Sequence, residues 1–565
     1  MHMNYQTEYQ KWLSRKDLQP ELREELNAVA GNDAAVKDRF YGHLDFGTAG
    51  IRGILGAGIN RMNIYTVARA AYGVARYVES LGAEAKARGV VISYDTRNYS
   101  FDFGLRTAGV LAARGVRVSI FDNVRPVPML SFAVRETGAA AGVMITASHN
   151  PKEYNGFKIY GADGAQMSLE GTAAVVKFIG EAEDILAIPY EPASDLVKIV
   201  GEELDKKYFD KIAGISLFDV KQAKQPVKIV YTALHGSGLM PVTALLKRQG
   251  IDYSEVPEQS VFDGNFSTVG LPNPENADAL KMGIELAKKT GAAVVIGTDP
   301  DCDRMGAAVR DSTGEFVLLT GNQTGALMLD YILERRKTAG TLPKNGVFIK
   351  TIVTSSLGTA VAEAAGAECE EVLTGFKFIG EKILQYERDK SKTFLFGYEE
   401  SYGYLAHTFA RDKDAAASSM LFAEMAVYYA ATGGIYARLE YLFKTYGYYL
   451  EKNVSREYAG LDGMAQMAAA IRNIAANVKG AAGGLKVLAV RDYDKRTRTA
   501  DGKTTALTLP RAEALYYELE QDSWVCVRPS GTEPKLKLYM AVKGKDKADA
   551  ENTMVGLVAF FKALL

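Results

Sequence analysis

With 565 residues, 47% of them hydrophobic and 24% charged, the chain has the composition of an ordinary soluble protein, long enough for roughly three to five domains. A formal charge of -1 gives no sign of a nucleic-acid or membrane surface, so any anion site must be built from local charge. Three scattered cysteines, Cys302, Cys369 and Cys526, give neither a disulfide framework nor a zinc spacing and point to a reducing cytoplasm.

The first segment, MHMNYQTEYQKWLSRKDLQPELREELNAVA, reads as amphipathic helix without an apolar signal core. No later stretch supplies about eighteen uncharged apolar residues, so no membrane span is expected. Strand-like runs VVISYD (90–95), VRVSIFD (116–122) and AGVMITA (141–147) then alternate with helical patterns, the rhythm of βαβ units in a mostly parallel sheet. The rhythm restarts at VKIVYTALHG (227–236) and AAVVIGTD (292–299), and again at GVFIKTIVTSS (346–356), AECEEVLTG (367–375) and KTFLFGYEES (392–401). Charged EELDKKYFDK (202–211) and the acidic turn DSTGE (311–315) are the expected weak points between units. Beyond about residue 445 the pattern changes to long helical stretches, a turn-rich segment and two late strands. The expected class is α/β: three similar mixed α/β domains, 1–205, 206–318 and 319–445, followed by an α+β domain, 446–565.

Four segments carry chemistry. In Thr146-Ala147-Ser148-His149-Asn150-Pro151 a serine hydroxyl follows the apolar run GVMI. Pro151 reads as the first residue of a helix and Asn150 as its N-cap, which would turn a partly positive helix end toward Ser148. The same composition also makes an ordinary turn. In Asp299-Pro300-Asp301-Cys302-Asp303-Arg304, aspartates at alternate positions of an extended stretch would project three carboxylates to one side. Unneutralised they would repel, and hard oxygen donors with room for phosphate oxygens favour Mg²⁺. Gly397-Tyr398-Glu399-Glu400-Ser401 follows a strand, where a carboxylate beside a hydroxyl suits sugar hydroxyls. Tyr398 and Tyr402 flank it, either to stack on a sugar ring or to pack the loop. Arg528-Pro529-Ser530-Gly531-Thr532 joins two strands and reads as a phosphate cradle or as a plain hairpin connection.

Together and in this order, these segments resemble the α-D-phosphohexomutase superfamily, the phosphoglucomutases and phosphomannomutases, over nearly the whole chain. FGTAGIRG (46–53), YDTR (94–97), YNGFK (154–158) and TGFK (374–377) add to the likeness. The resemblance implies four domains around a central cleft and a phosphoserine at Ser148. By the same likeness Asp299, Asp301, Asp303 and the Ser148 phosphoryl group hold Mg²⁺, with Arg304 and Arg52 near the phosphoserine. It implies proton transfer by Lys158, with Lys413 of ARDKD (410–414) as a second candidate. His149 is expected to hydrogen-bond the phosphoserine, and His235 to support a turn. Glu399 and Ser401 match the sugar-binding pair, Thr374, Gly375 and Lys377 the loop that distinguishes sugar orientation. Arg528, Ser530, Gly531 and Thr532 match the site of the phosphate that is not transferred.

The implied reaction interconverts glucose 1-phosphate and glucose 6-phosphate through glucose 1,6-bisphosphate, with sugar phosphates as the only implied partners. A cytoplasmic monomer or dimer, binding neither nucleic acid nor membrane, is expected. Mannose or pentose phosphates and bisphosphate synthesis are the alternatives within the family. A phosphatase or an inactive sugar-phosphate sensor are those of other classes.

Overall fold

The computed structural model describes residues 4–47, 50–191, 193–458, 462–529 and 535–565. They form two compact units: 1–319 with 380–390 and 403–428, and 320–379 with 391–402 and 429–565.

The first unit holds two sheets. One contains β1 (Gly50–Ile54), β2 (Val90–Tyr94), β3 (Val118–Phe121), β4 (Ala141–Ile145), β5 (Tyr154–Gly161) and β6 (Val197–Val200), in the order β1-β5-β4-β2-β3-β6. Strands β4, β2, β3 and β6 are parallel neighbours, whereas β5 runs antiparallel to both β4 and β1. The other contains β7 (Lys228–Thr232), β8 (Asp252–Glu255), β9 (Val294–Thr298), β10 (Met305–Arg310) and β11 (Phe316–Leu318), in the order β11-β10-β9-β7-β8. Here too the parallel strands β8, β7 and β9 meet antiparallel β10. The central strands β2, β4 and β9 are buried at every position, which is why they read as continuous apolar runs rather than alternating ones.

The sheets are therefore mixed, each a run of parallel strands continued by antiparallel ones at one edge. The charged stretch 202–211 is no linker: it lies in the helix Glu202–Ala213, whose Leu204, Tyr208 and Ile212 are buried and whose Asp205 pairs with Arg125 at 2.6 Å. DSTGE closes the β10–β11 hairpin inside its sheet. At the N-terminus, helices Tyr5–Ser14, Pro20–Ala28 and Asp33–Phe40 bury Trp12 edge-on to Phe40 and Tyr65.

In the second unit β12 (Gly346–Thr351) lies parallel to both β13 (Glu368–Val372) and β14 (Thr393–Glu399); the short β15 (Gly403–Leu405) belongs to the first unit. The last domain is an antiparallel sheet of β16 (Tyr448–Glu457), β17 (Ala481–Ala482), β18 (Leu485–Asp492), β19 (Thr497–Ala500), β20 (Lys503–Ala506), β21 (Leu515–Leu519), β22 (Trp524–Pro529) and β23 (Lys535–Gly544). Helices Gly463–Asn477 and Lys547–Lys562 share its core through Ile474, Leu557 and Phe561.

One strand order recurs: β3-β2-β4, β8-β7-β9 and β13-β12-β14. TASHNP, the aspartate loop and the Glu399–Ser401 turn each leave the third-formed strand of this pattern. The fold thus repeats one exit point three times and puts a different chemistry on each.

Candidate functional site

Ser148 lies in the connection from β4 to β5. Its backbone φ is 52°, in the left-handed region that a non-glycine residue enters at a cost of about 1–3 kcal/mol. Pro151 does not begin a helix. The residues between β4 and β5 are too few for one, because YNGFKIYG is claimed by pairing with strands on both sides, and two tight turns fill the gap (Asn150 N to Ala147 O, 3.2 Å; Tyr154 N to Pro151 O, 3.0 Å). Asn150, expected as a cap, instead accepts from Arg52 Nη1 at 2.8 Å.

The aspartates also differ from the extended arrangement. They occupy a tight loop between antiparallel β9 and β10, with Cys302 in the left-handed region at φ 51°. Three successive carbonyls are anchored from different segments: Pro300 O by Ser237 N (2.8 Å), Asp301 O by Val127 N (3.0 Å) and Cys302 O by Ala415 N (3.2 Å). The loop backbone, not strand alternation, makes the carboxylates converge, with one ligand atom from each within 4.8 Å of the others.

The two loops meet. Ser148 Oγ donates to Asp299 Oδ2 at 2.8 Å and lies 3.1 Å from His149 Nδ1. Thr146 Oγ1 donates to Asp301 Oδ2 at 3.1 Å and accepts from Ser148 N at 2.8 Å. Lys158 Nζ is 2.8 Å from Asp301 Oδ2, and Lys413 Nζ 2.7 Å from Asp303 Oδ2. Burial, then the neighbouring Asp301 and Asp303, push Asp299 upward. Burial acts the same way on Asp301, but Lys158 overcomes it and holds that carboxyl below the usual range. His149 is pushed down to about 2, first by burial and then by Arg304 and Arg52, so it faces the hydroxyl as a neutral ring.

Lys413 is presented by a built loop. Asp412 accepts from Tyr160 (2.9 Å) and Gln166 (3.0 Å), and Asp414 from Tyr208 (2.7 Å) and His407 Nε2 (2.8 Å). His407 is thus occupied with Asp414. His235 supports its own turn, to Val261 O and Thr268 Oγ1. Arg304 pairs with Glu275, which sequence reasoning missed along with Thr146, Asp412 and Asp414.

In the second unit Glu399, at the end of β14, accepts from Gly375 N at 2.9 Å, so the two segments expected to handle sugar hydroxyls adjoin. Gly375 sits at φ 121°, open only to glycine without strain. Lys377 is buried, its Nζ 5.2 Å from the Phe378 ring. Tyr398 does not face a ligand: it is fully buried and stacked on Phe348 at 5.4 Å. Ser401 follows in the turn. Arg528 lies near the end of β22 opposite Lys537. Ser530, Gly531 and Thr532 lie outside the described residues.

The aspartate loop suits a divalent cation. Asp301 Oδ1 and Asp303 Oδ1 are buried without a hydrogen-bond partner among the described residues, and the donors are hard oxygens.

The chain matches the four phosphoglucomutase/phosphomannomutase domain families: α/β/α domain I over residues 43–185, domain II over 206–314, domain III over 320–445 and the C-terminal domain over 466–555. A phosphoglucomutase of Staphylococcus haemolyticus is 37% identical over 511 residues, 89% of this chain and 91% of the relative. One from Staphylococcus aureus is 35% identical over 537 residues, 93% and 94%. Among solved structures, a Thermus thermophilus putative phosphomannomutase superposes with a TM-score of 0.68 at 23% identity, covering 93% of this chain and 99% of that one. The Paramecium phosphoglucomutase parafusin, in its open form, gives 0.65 at 16% identity, covering 93% and 95%. These two likenesses concern the fold.

Proposed function

The chain belongs to the phosphoglucomutase/phosphomannomutase family, and from that premise we propose that it interconverts glucose 1-phosphate and glucose 6-phosphate, with Ser148 lending and recovering the phosphoryl group. The observation that carries the serine's role is the 2.8 Å contact of its hydroxyl with Asp299 inside a buried carboxylate trio.

Asp299, Asp301 and Asp303 would hold Mg²⁺ together with an oxygen of phosphorylated Ser148. Bound there, the cation supplies charge neutralisation to the phosphoryl group. Phospho-Ser148 gives its phosphoryl group to the free hydroxyl of the hexose monophosphate: the new O–P bond forms as the serine O–P bond breaks, the hydroxyl proton passes to Lys158, and the serine oxygen keeps the bonding pair until the phosphoryl group returns to it. The resulting glucose 1,6-bisphosphate reorients, and its other phosphate returns to Ser148 while Lys158 gives the proton back to the sugar oxygen. The carboxylates that pair with Lys158 are also the groups the cation would neutralise.

Arg52 and Arg304 add positive charge beside the phosphoserine, and neutral His149 hydrogen-bonds it. Glu399 and Ser401 bind sugar hydroxyls, Thr374, Gly375 and Lys377 distinguish the two orientations, and Arg528 with Ser530, Gly531 and Thr532 grips the idle phosphate. Lys413 is the second cationic group for the substrate phosphate. The proposed setting is the cytoplasm, in keeping with three free cysteines, and no described helix is long and apolar enough to cross a membrane.

Phosphorus NMR tests the reading, with glucose, mannose and ribose 1-phosphates each incubated with and without a trace of the bisphosphate. Conversion of glucose 1-phosphate to its 6-isomer supports it. Preference for another sugar moves the substrate assignment, and release of inorganic phosphate alone overturns the mutase.

A further inference from the structure

We propose that Arg97 is a positioning residue for the phosphoryl-carrying turn, holding Ser148 in its left-handed conformation by gathering four backbone carbonyls of residues 148–154 around one guanidinium. This rests on the reading of Ser148 as the phosphoryl carrier.

Arg97 follows β2, two residues after Asp95, in the segment YDTR. Its Nη1 donates to Pro151 O at 2.9 Å and Tyr154 O at 3.1 Å, and its Nη2 donates to Ser148 O and Asn150 O. Four of its five N–H groups are thus spent on a single loop, a use that the planar fork permits and an ammonium does not. The side chain is fully buried against Asp95, whose Oδ2 lies 3.4 Å from Arg97 Nε and compensates the charge. Asp95 is itself fixed through Oδ1, which accepts from Arg97 N at 3.0 Å and Ser100 Oγ at 2.8 Å. The ring of Phe266 covers the guanidinium, 5.0 Å from its central carbon. Salt bridge, stacking and forked hydrogen bonds leave Arg97 one orientation.

A left-handed φ at a serine persists only where its surroundings over-determine it. The carbonyl of Ser148 is itself one of the four that Arg97 holds, so releasing the guanidinium frees the peptide on the C-terminal side of the strained residue. The Ser148 hydroxyl would then no longer be fixed at Asp299. Within the turn Thr146 Oγ1 holds Ser148 N at 2.8 Å, and it is the carbonyl side of Ser148 that Arg97 holds. A buried strut that only stabilises the domain would, by contrast, cost folding stability and leave turnover per folded molecule intact.

The test compares wild type, Arg97→Lys and Val110→Ala, a fully buried residue of the helix Ser100–Ala113 that serves as a stability control. Folded protein is quantified by circular dichroism, and kcat, KM and the phosphorus resonance of phospho-Ser148 are measured on each. A misplaced nucleophile predicts a kcat about 100-fold lower with KM within about threefold, and a shifted phosphoserine resonance. Val110→Ala keeps both wild-type kcat and resonance. A kcat for Arg97→Lys equal to that of Val110→Ala overturns the proposal. If Arg97→Lys does not fold, the double variant Asp95→Asn/Arg97→Gln decides in its place: it leaves no unpaired buried charge and cannot fork across four carbonyls, so an unchanged kcat and resonance overturn the proposal while a kcat reduced about tenfold or more supports it. Wild type that fails to isomerise sugar phosphate at all sinks the mutase reading instead, so the two failures are told apart.

Discussion

Lys158 on β5 sets its Nζ 2.8 Å from Asp301 Oδ2 and 3.8 Å from Asp303 Oδ2, so the proposed proton carrier is also the counter-charge of the proposed metal ligands. Lysine and a divalent cation then compete for the same carboxylates. Lys158→Met is expected to lower kcat by about 10²–10⁴-fold through loss of acid–base catalysis. The same substitution removes a positive charge beside the site and so lowers the Mg²⁺ concentration for half-maximal activation. A Mg²⁺ titration of kcat reads both, and a fall in kcat together with a fall in the half-maximal Mg²⁺ concentration is what a lysine remote from the site could not give.

Asp301 accepts from Thr146 and Lys158 on one oxygen while the other has no hydrogen-bond partner among the described residues. Asp301→Asn keeps the shape and removes the charge. Activity at fixed Mg²⁺ should fall by several kcal/mol in transition-state terms, about 10²–10⁴-fold, and excess Mg²⁺ should restore part of it. Dialysis of the wild type against a chelator should abolish turnover, and returned Mg²⁺ should recover it.

At Ser148 the hydroxyl and the backbone make separate demands. Ser148→Ala should leave no phosphoryl group detectable by intact-protein mass spectrometry and no turnover. Ser148→Thr keeps the hydroxyl but asks a β-branched residue to hold φ near 52°, which such residues strongly resist. Threonine should therefore be phosphorylated far more slowly, with a stability loss of about 1–3 kcal/mol. Rapid-quench labelling from the bisphosphate measures the first effect and urea unfolding the second.

Arg528 stands at the end of β22 immediately before the proposed cradle. Loss of a charge-assisted pair with phosphate is worth about 1.5–3 kcal/mol. Arg528→Ala should raise KM by about 10–100-fold, and released bisphosphate should accumulate in the medium, where a coupled assay detects it.

Much of this site was legible from the chain. Asp299, Asp301, Asp303 and Ser148 announce themselves as carboxylates or a hydroxyl directly after apolar strands, whereas Lys158 and Lys413 come from the family resemblance alone; the fold brings the six together. What misled was local grammar. Asn150-Pro151 has the composition of a helix start, yet the next segment is buried by strands on both sides, and tertiary pairing overrode the propensity. Alternating aspartates imply one face only if the stretch is extended, and Cys302 in the left-handed region breaks that premise. Arg97 stayed hidden for a different reason: its partners are backbone carbonyls about fifty residues away, which no side-chain pattern encodes. The one available signal was a charged Asp-x-Arg pair at the end of a strand buried at all positions.

Acid stability offers a check outside the reacting groups. His43 is pushed down to about 4, first by burial and then by Arg69 and Lys11, whereas in the unfolded chain it titrates near its ordinary value of about 6.5. Between these values the unfolded state binds a proton that the folded state refuses, so stability rises with pH across the window and is lost as pH falls through it. Above about 6.5 both states are neutral and the contribution is constant. His43→Gln should flatten the decline of the unfolding midpoint between about pH 6.5 and 4 relative to wild type, with no change above pH 7 in the slope. Urea midpoints at half-unit pH steps make the comparison, and parallel curves for the two proteins would show that His43 is not held neutral by the fold.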